Sequence, residues 1–188
     1  MSFIDWQTTL GYAEDSASSS RKPILFDYFS PECIGCKQMA EVTYQAKEVV
    51  DFVTEYMIPL RIDVEKKDLY DAYNAIWTPT LLILDYQGHE VQRTVGFLGP
   101  NSFLALMLLG IAKVQFATGE FDAANVQFKR IIERYPESSV VPEAIYFRGV
   151  NLCKQKDDPK QLKMAYEELR HNYPDNSWTK RAVPYRVF

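Results

Sequence analysis

Apolar residues along this chain change their spacing once, and that change limits the folds open to it. Up to about Gly110, short apolar runs suited to strands alternate with stretches of helical spacing; beyond it only helical spacing remains. Trp6, Leu10, Ala13 and Ala17 predict an opening helix that the serine cluster Ser16 to Ser20 ends before Pro23. Ile24 to Phe29 is a nearly continuous apolar run, as expected of a strand buried on both faces. From Cys33 to about Tyr56 one helix is expected, with Met39, Val42, Val49, Phe52 and Val53 on its apolar face. A strand over Ile58–Asp63 and a short helix over Asp68–Ala75 follow. Thr80–Leu84 and Glu90–Val95 then form antiparallel strands around Asp85-Tyr86-Gln87-Gly88, and Gly99-Pro100-Asn101 opens a further helix. This order predicts a three-layer α/β fold with a mixed central sheet.

The all-helical remainder repeats. Phe128, Tyr135-Pro136-Glu137-Ser138-Ser139 and Ala144 recur 38 residues later as Tyr166, Tyr173-Pro174-Asp175-Asn176-Ser177 and Ala182. A fixed period of this size indicates stacked helical hairpins, an interaction module or a structural appendage with no catalytic role. Two domains are expected, residues 1–112 and 113–188. Cys153 is read as a small buried hydrophobe on a helix of the second.

Composition removes several classes. With 47% hydrophobic residues the chain can bury enough surface to offset its conformational entropy, so disorder is excluded. A net charge of −4 without a basic patch argues against nucleic acid as a partner. The longest apolar stretch, Phe103 to Val114, is broken by Gly110 and Lys113 and is too short for a membrane span. No leader segment is visible at Met1 to Asp5, so the cytoplasm is the expected compartment, or the periplasm if a leader has been removed.

Cys33 and Cys36 follow directly on the apolar strand, at a strand-to-helix junction. Unpaired N–H groups and the positive end of the helix dipole favour a thiolate at Cys33, placed in the first helical turn. Cys36, one turn further in, can close a disulfide with Cys33 but lies too deep to attack a substrate. A closed zinc site wants four ligands, and the other soft candidates (His89, His171 and Cys153) are distant in sequence, so redox chemistry is preferred to metal binding. No cofactor is called for. Asp27, inside the apolar strand, is open to two readings: a desolvated carboxylate that exchanges protons with Cys36, or an aspartate at a wet strand edge. Pro79 in Trp77-Thr78-Pro79-Thr80 either forms a cis peptide in a tight turn or starts a strand in trans.

The segment Phe26 to Lys37, with Cys33-Ile34-Gly35-Cys36 at its centre, resembles the active-site segment of the thioredoxin superfamily. Thr78-Pro79-Thr80 is similar to that family's cis-proline loop, and Gly96-Phe97 to its glycine after the last strand. Lys37-Gln38-Met39 and the helix before the first strand are closer to thioredoxin-like domains of the bacterial thiol:disulfide interchange type. The second half resembles tetratricopeptide repeats, with departures at Asp157-Asp158-Pro159 and Leu162. The first resemblance implies a protein dithiol–disulfide oxidoreductase with Cys33 as nucleophile, Cys36 as resolving thiol and Asp27 as buried proton acceptor. It implies Thr78, Pro79, Ile34 and Gly35 as substrate-binding residues. Partners would be disulfide-containing proteins and a thiol reductant, with a protein partner or a purely structural role for the helical repeats. The alternative is a scaffold that binds peptides through the same fold without turnover. Glu32 departs from the familiar tryptophan before the first cysteine, and its charge should oppose the Cys33 thiolate.

Overall fold

The computed structural model describes residues 3–65 and 73–188, and its chain contacts divide it into two compact units, Met1–Leu104 and Ala105–Phe188. In the first, helix α1 (Leu10–Ser20) leads into strand β1 (Ile24–Phe29), helix α2 (Ile34–Gln38), helix α3 (Lys47–Tyr56) and strand β2 (Ile58–Asp63). Strands β3 (Thr80–Leu84) and β4 (Glu90–Val95) complete a mixed sheet in the order β2–β1–β3–β4. β1 pairs parallel with β2 and antiparallel with β3, and β3–β4 is the expected antiparallel hairpin. β1 is central, which explains its unbroken apolar run.

One sheet face carries Ile24, Phe26, Tyr28, Leu60, Ile62, Leu82 and Leu84, packed with Ala13 and Ala17 of α1. The small side chains of that helix let it lie close to the aromatic residues of β1. α3 packs against β2 from the opposite side, burying Val49, Val50, Phe52 and Val53. Asp27 points to this second face. The parallel register sets it opposite Arg61, and the two-residue alternation of a strand sends both side chains the same way.

Several expectations need correction. Trp6 lies before α1, in a segment whose Gln7 bridges to Leu60 at the outer edge of β2. The N–H of Gln7 donates to Pro59 O and that of Arg61 to Gln7 O, both at 2.9 Å. The serine cluster forms the last turns of α1, which ends at Ser20 ahead of Pro23, and there the Ser19 and Ser20 hydroxyls satisfy the Ser16 carbonyl. The helix expected from Cys33 to Tyr56 is broken after Gln38 by a π-helical turn, Met39–Thr43. Thr43 Oγ1 donates to Leu98 O, and Leu98 N–H donates to Met39 Sδ at 3.3 Å, so contacts distant in sequence hold this turn. The shifted register leaves Val42 exposed while Met39 and Thr43 are buried. The helix expected at Asp68–Ala75 lies largely outside the described residues.

Helix α4 (Pro100–Ala117) contains the boundary between the units. By length and hydropathy it matches a membrane span, but its residues from Phe103 to Leu109 are buried on every side, as in a core helix. The second unit continues through α5 (Phe121–Arg134), α6 (Val141–Lys156), α7 (Lys160–Asn172), α8 (Ser177–Ala182) and a final 3-10 turn, Val183–Val187. Helices pack in sequential pairs around Phe128, stacked on Phe147, with Trp178 edge-on to Phe147. The 38-residue period is visible in the backbone. The Tyr135 and Tyr173 carbonyls each accept from the N–H three residues on, Ser138 and Asn176. Gly119 and Asp157 occupy equivalent positions, and both are left-handed, with φ of 80° and 51°. The departure from glycine at 157 therefore changes the residue and keeps the turn.

Gly149 on α6 faces Ala165 on α7 so closely that a Cβ at 149 would overlap that of Ala165. Gly149→Ala should destabilise the helical unit by about 1–3 kcal/mol, the range for overpacking in a filled core. Urea unfolding followed by circular dichroism checks this, and Ala165→Gly in the same chain should restore part of the loss.

Candidate active site

Beyond β1 the chain turns through Ser30-Pro31-Glu32, with Cys33 N–H donating to Ser30 O and Glu32 N–H to Ser30 Oγ. Cys33 is the N-cap of α2, one residue before the first turn where it was expected. Its Sγ accepts from the Cys36 N–H at 3.3 Å and lies 3.2 Å from Thr78 O, to which the thiol can donate. Cys33 is partly exposed, whereas Cys36 is 2% exposed, and both are free thiols.

The Thr78–Pro79 peptide is cis. Its loop is held by Gly96 N–H donating to Pro79 O at 2.9 Å and by Thr80 Oγ1 donating to Trp77 O at 2.7 Å. Gly35 lets the loop approach the cysteine turn: a Cβ there would sit 3.0 Å from Pro79 Cδ and 3.8 Å from Cys33 Sγ. Cys33, Ile34, Gly35, Thr78 and Pro79 thus line one open cleft of about 720 Å³. Cys36 lies behind it. Ile76 and Trp77, largely exposed, and Phe97, 42% exposed, also line the cleft, and none of the three was expected at the site. Their signal was present in the Trp77-Thr78-Pro79 and Gly96-Phe97 segments, but which side chains face the sulfur depends on how two distant loops meet.

The two thiols are driven apart electrostatically. Burial works against the Cys33 thiolate, but the Thr78 and Cys36 side chains and the N–H groups of Cys36 and Gly35 outweigh it, bringing this thiol below its ordinary value. Burial, aided by the neighbouring Cys33 sulfur, pushes Cys36 up to about 11.

Asp27 does not line the cleft. It is 1% exposed, beneath the sheet surface, which settles its placement in favour of desolvation. Burial raises its pKa to about 6, against the opposing pull of Arg61 and the Tyr44 hydroxyl. Arg61 Nε stands 3.1 Å from Asp27 Oδ2 without the alignment of a hydrogen bond, so the contact is mainly Coulombic. The guanidinium lies over the ring of Phe29 at 4.1 Å and near those of Tyr44 and Trp6 at 5.7 and 5.8 Å. Neither Arg61 nor Tyr44 was expected at the site, since only the strand register and the π-turn bring them to Asp27. Among the described residues no cluster of three or more His, Cys, Asp or Glu is placed to hold a metal.

Residues 10–110 match the thioredoxin-like domain family, and the chain belongs to it. Residues 107–138 match a tetratricopeptide repeat. The chain is 27% identical over 111 residues to the thiol:disulfide interchange protein DsbD of Actinobacillus pleuropneumoniae, covering 55% of this chain and 19% of that protein. It is 32% identical over 91 residues to DsbD of Haemophilus ducreyi, covering 45% of this chain and 16% of that protein. The chain therefore spans less than a fifth of the length of these relatives. A thioredoxin from Thermus thermophilus shares the fold, with a TM-score of 0.50, 22% identity and coverage of 57% of this chain and 85% of that one.

The Asp27 carboxyl titrates near 6 in the folded protein and at 3.8 unfolded, so the unfolded chain releases this proton first as pH rises. Its contribution to stability is full below about pH 4 and is lost as pH climbs through 6. Between pH 4.5 and 7.5 the parent should lose about 2 kcal/mol that Asp27→Asn does not lose, at 1.36 kcal/mol per pKa unit. Urea titrations of both proteins at the two pH values measure the difference.

Proposed function

We propose that the chain is a protein dithiol–disulfide oxidoreductase working through Cys33 and Cys36. The observation that carries the reading is the asymmetry of the pair: a partly exposed sulfur with a lowered pKa opens on an apolar cleft, backed by a buried thiol with a raised one. The Cys33 thiolate attacks a client disulfide, forming a Cys33–client bond as the client's own S–S bond breaks and its second sulfur leaves as thiolate. Cys36 then gives up its proton and displaces the client sulfur, so two electrons pass from the protein dithiol to the client. Asp27, mostly ionised at pH 7 with a pKa of about 6, accepts the Cys36 proton and returns it when a thiol reductant regenerates the pair. Thr78, Pro79, Ile34 and Gly35 seat the client chain beside Cys33. The interchange proteins it resembles support this class of reaction. The tetratricopeptide-like helices hold a protein partner.

Reduction of insulin by the dithiothreitol-recycled protein tests the reading. Cys33→Ser should abolish turnover, and Cys36→Ala should stop after one attack and accumulate a mixed disulfide visible on non-reducing gels. Asp27→Asn should leave the first attack intact and slow resolution by about tenfold or more, as loss of a general base does. A parent protein that binds peptides yet never cycles between dithiol and disulfide would return the chain to the scaffold reading.

A further inference from the structure

The cleft beside Cys33 has an uneven chemical lining. Ile34, Ile76 and Trp77 are 77%, 78% and 69% exposed, and with Phe97 they form an apolar rim around the sulfur. Among the described residues that line it, Glu32 is the one charged side chain. The Ser30 hydroxyl receives the Glu32 N–H at 3.3 Å, fixing the turn that holds this residue next to Cys33. Among the described residues no cation is paired with the Glu32 carboxylate. A charge at the edge of an apolar surface acts through a weaker dielectric than bulk water and is felt by whatever docks there. The −4 net charge of the chain acts in the same direction.

We infer that Glu32 makes this cleft selective for cysteine-bearing polypeptide segments with a lysine or arginine beside the reacting cysteine and apolar residues around it. The inference rests on the oxidoreductase reading and specifies its client. A basic neighbour satisfies Glu32 while the apolar flank covers Ile34, Ile76 and Trp77. An acidic neighbour meets both Glu32 and the Cys33 thiolate with like charge.

The test uses two peptides that differ only in a lysine or a glutamate next to their single cysteine, each blocked as a mixed disulfide with 5-thio-2-nitrobenzoate. The reduced protein attacks the peptide sulfur, a Cys33–peptide bond forms, and the coloured thiolate leaves with the electron pair of the broken S–S bond. Cys36 then releases the peptide thiol. Rates are divided by those for mercaptoethanol, which removes the intrinsic reactivity difference between the peptides. The normalised preference for lysine should be about fivefold at low salt and shrink as added salt screens the charges. Glu32→Gln should bring it near one, and Glu32→Lys should reverse it. These ratios are unaffected by any uniform change in thiol reactivity that the substitutions cause. A parent ratio near one, or a preference that survives Glu32→Gln, overturns the assignment of Glu32 and leaves the oxidoreductase reading standing. Release from neither peptide overturns both.

Discussion

Close contact between two loops governs the chemistry of the first unit. The Pro79 ring lies so near Gly35 that a Cβ at 35 would crowd it at 3.0 Å, and this proximity sets Cys33 against the Thr78 carbonyl. The sulfur is then held from two sides, by a backbone N–H of α2 and by the loop before β3. A thiol in that position has donors available to stabilise its anion, while its mate, a turn away, faces the low-dielectric interior. The difference between the two sulfurs is therefore a property of their surroundings. Sheet pairing keeps those surroundings in place, because both loops issue from adjacent antiparallel strands, β1 and β3.

Beneath the sulfurs the same sheet handles a harder problem. A carboxylate inside a central strand is costly to ionise, and Asp27 is made tolerable by Arg61 directly across the parallel register. Arg61 keeps its charge partly dehydrated by lying among Phe29, Tyr44 and Trp6. Compensation is incomplete, as the Asp27 pKa near 6 records. A fully neutralised pair would leave the carboxylate a poor base near neutrality, and an unpaired one would leave it protonated, so partial compensation suits the proton exchange proposed for Asp27.

Much of this was legible in the residues. The apolar run of β1, the cysteine pair directly after it and the hairpin around Gly88 specify themselves locally, through burial on both faces, helix-terminus chemistry and turn chemistry. The 38-residue repeat was equally plain, and even the glycine lost at 157 is matched by the same left-handed turn. What escaped was non-local. Neither Pro nor Gly marks the break after Gln38, since Leu98, nearly sixty residues on, holds the π-turn through Met39 and Thr43. Arg61 and Tyr44 meet Asp27 only through pairing register and that turn. Ser16 to Ser20 read as a terminator because serine competes with helical hydrogen bonding, and α1 does end at Ser20, but the hydroxyls bond backward and make the serines its last turns.

The segment ahead of α1 links two features otherwise unrelated. Gln7 occupies the outer margin of β2, while its neighbour Trp6 shields the guanidinium of Arg61. Shortening the chain past Trp6 and Gln7 would thus bare a strand edge to intermolecular pairing and admit solvent to the cation below it. Self-association and a shift in the proton affinity of a carboxylate deep in the sheet would arise together from the loss of two residues that never touch a cysteine.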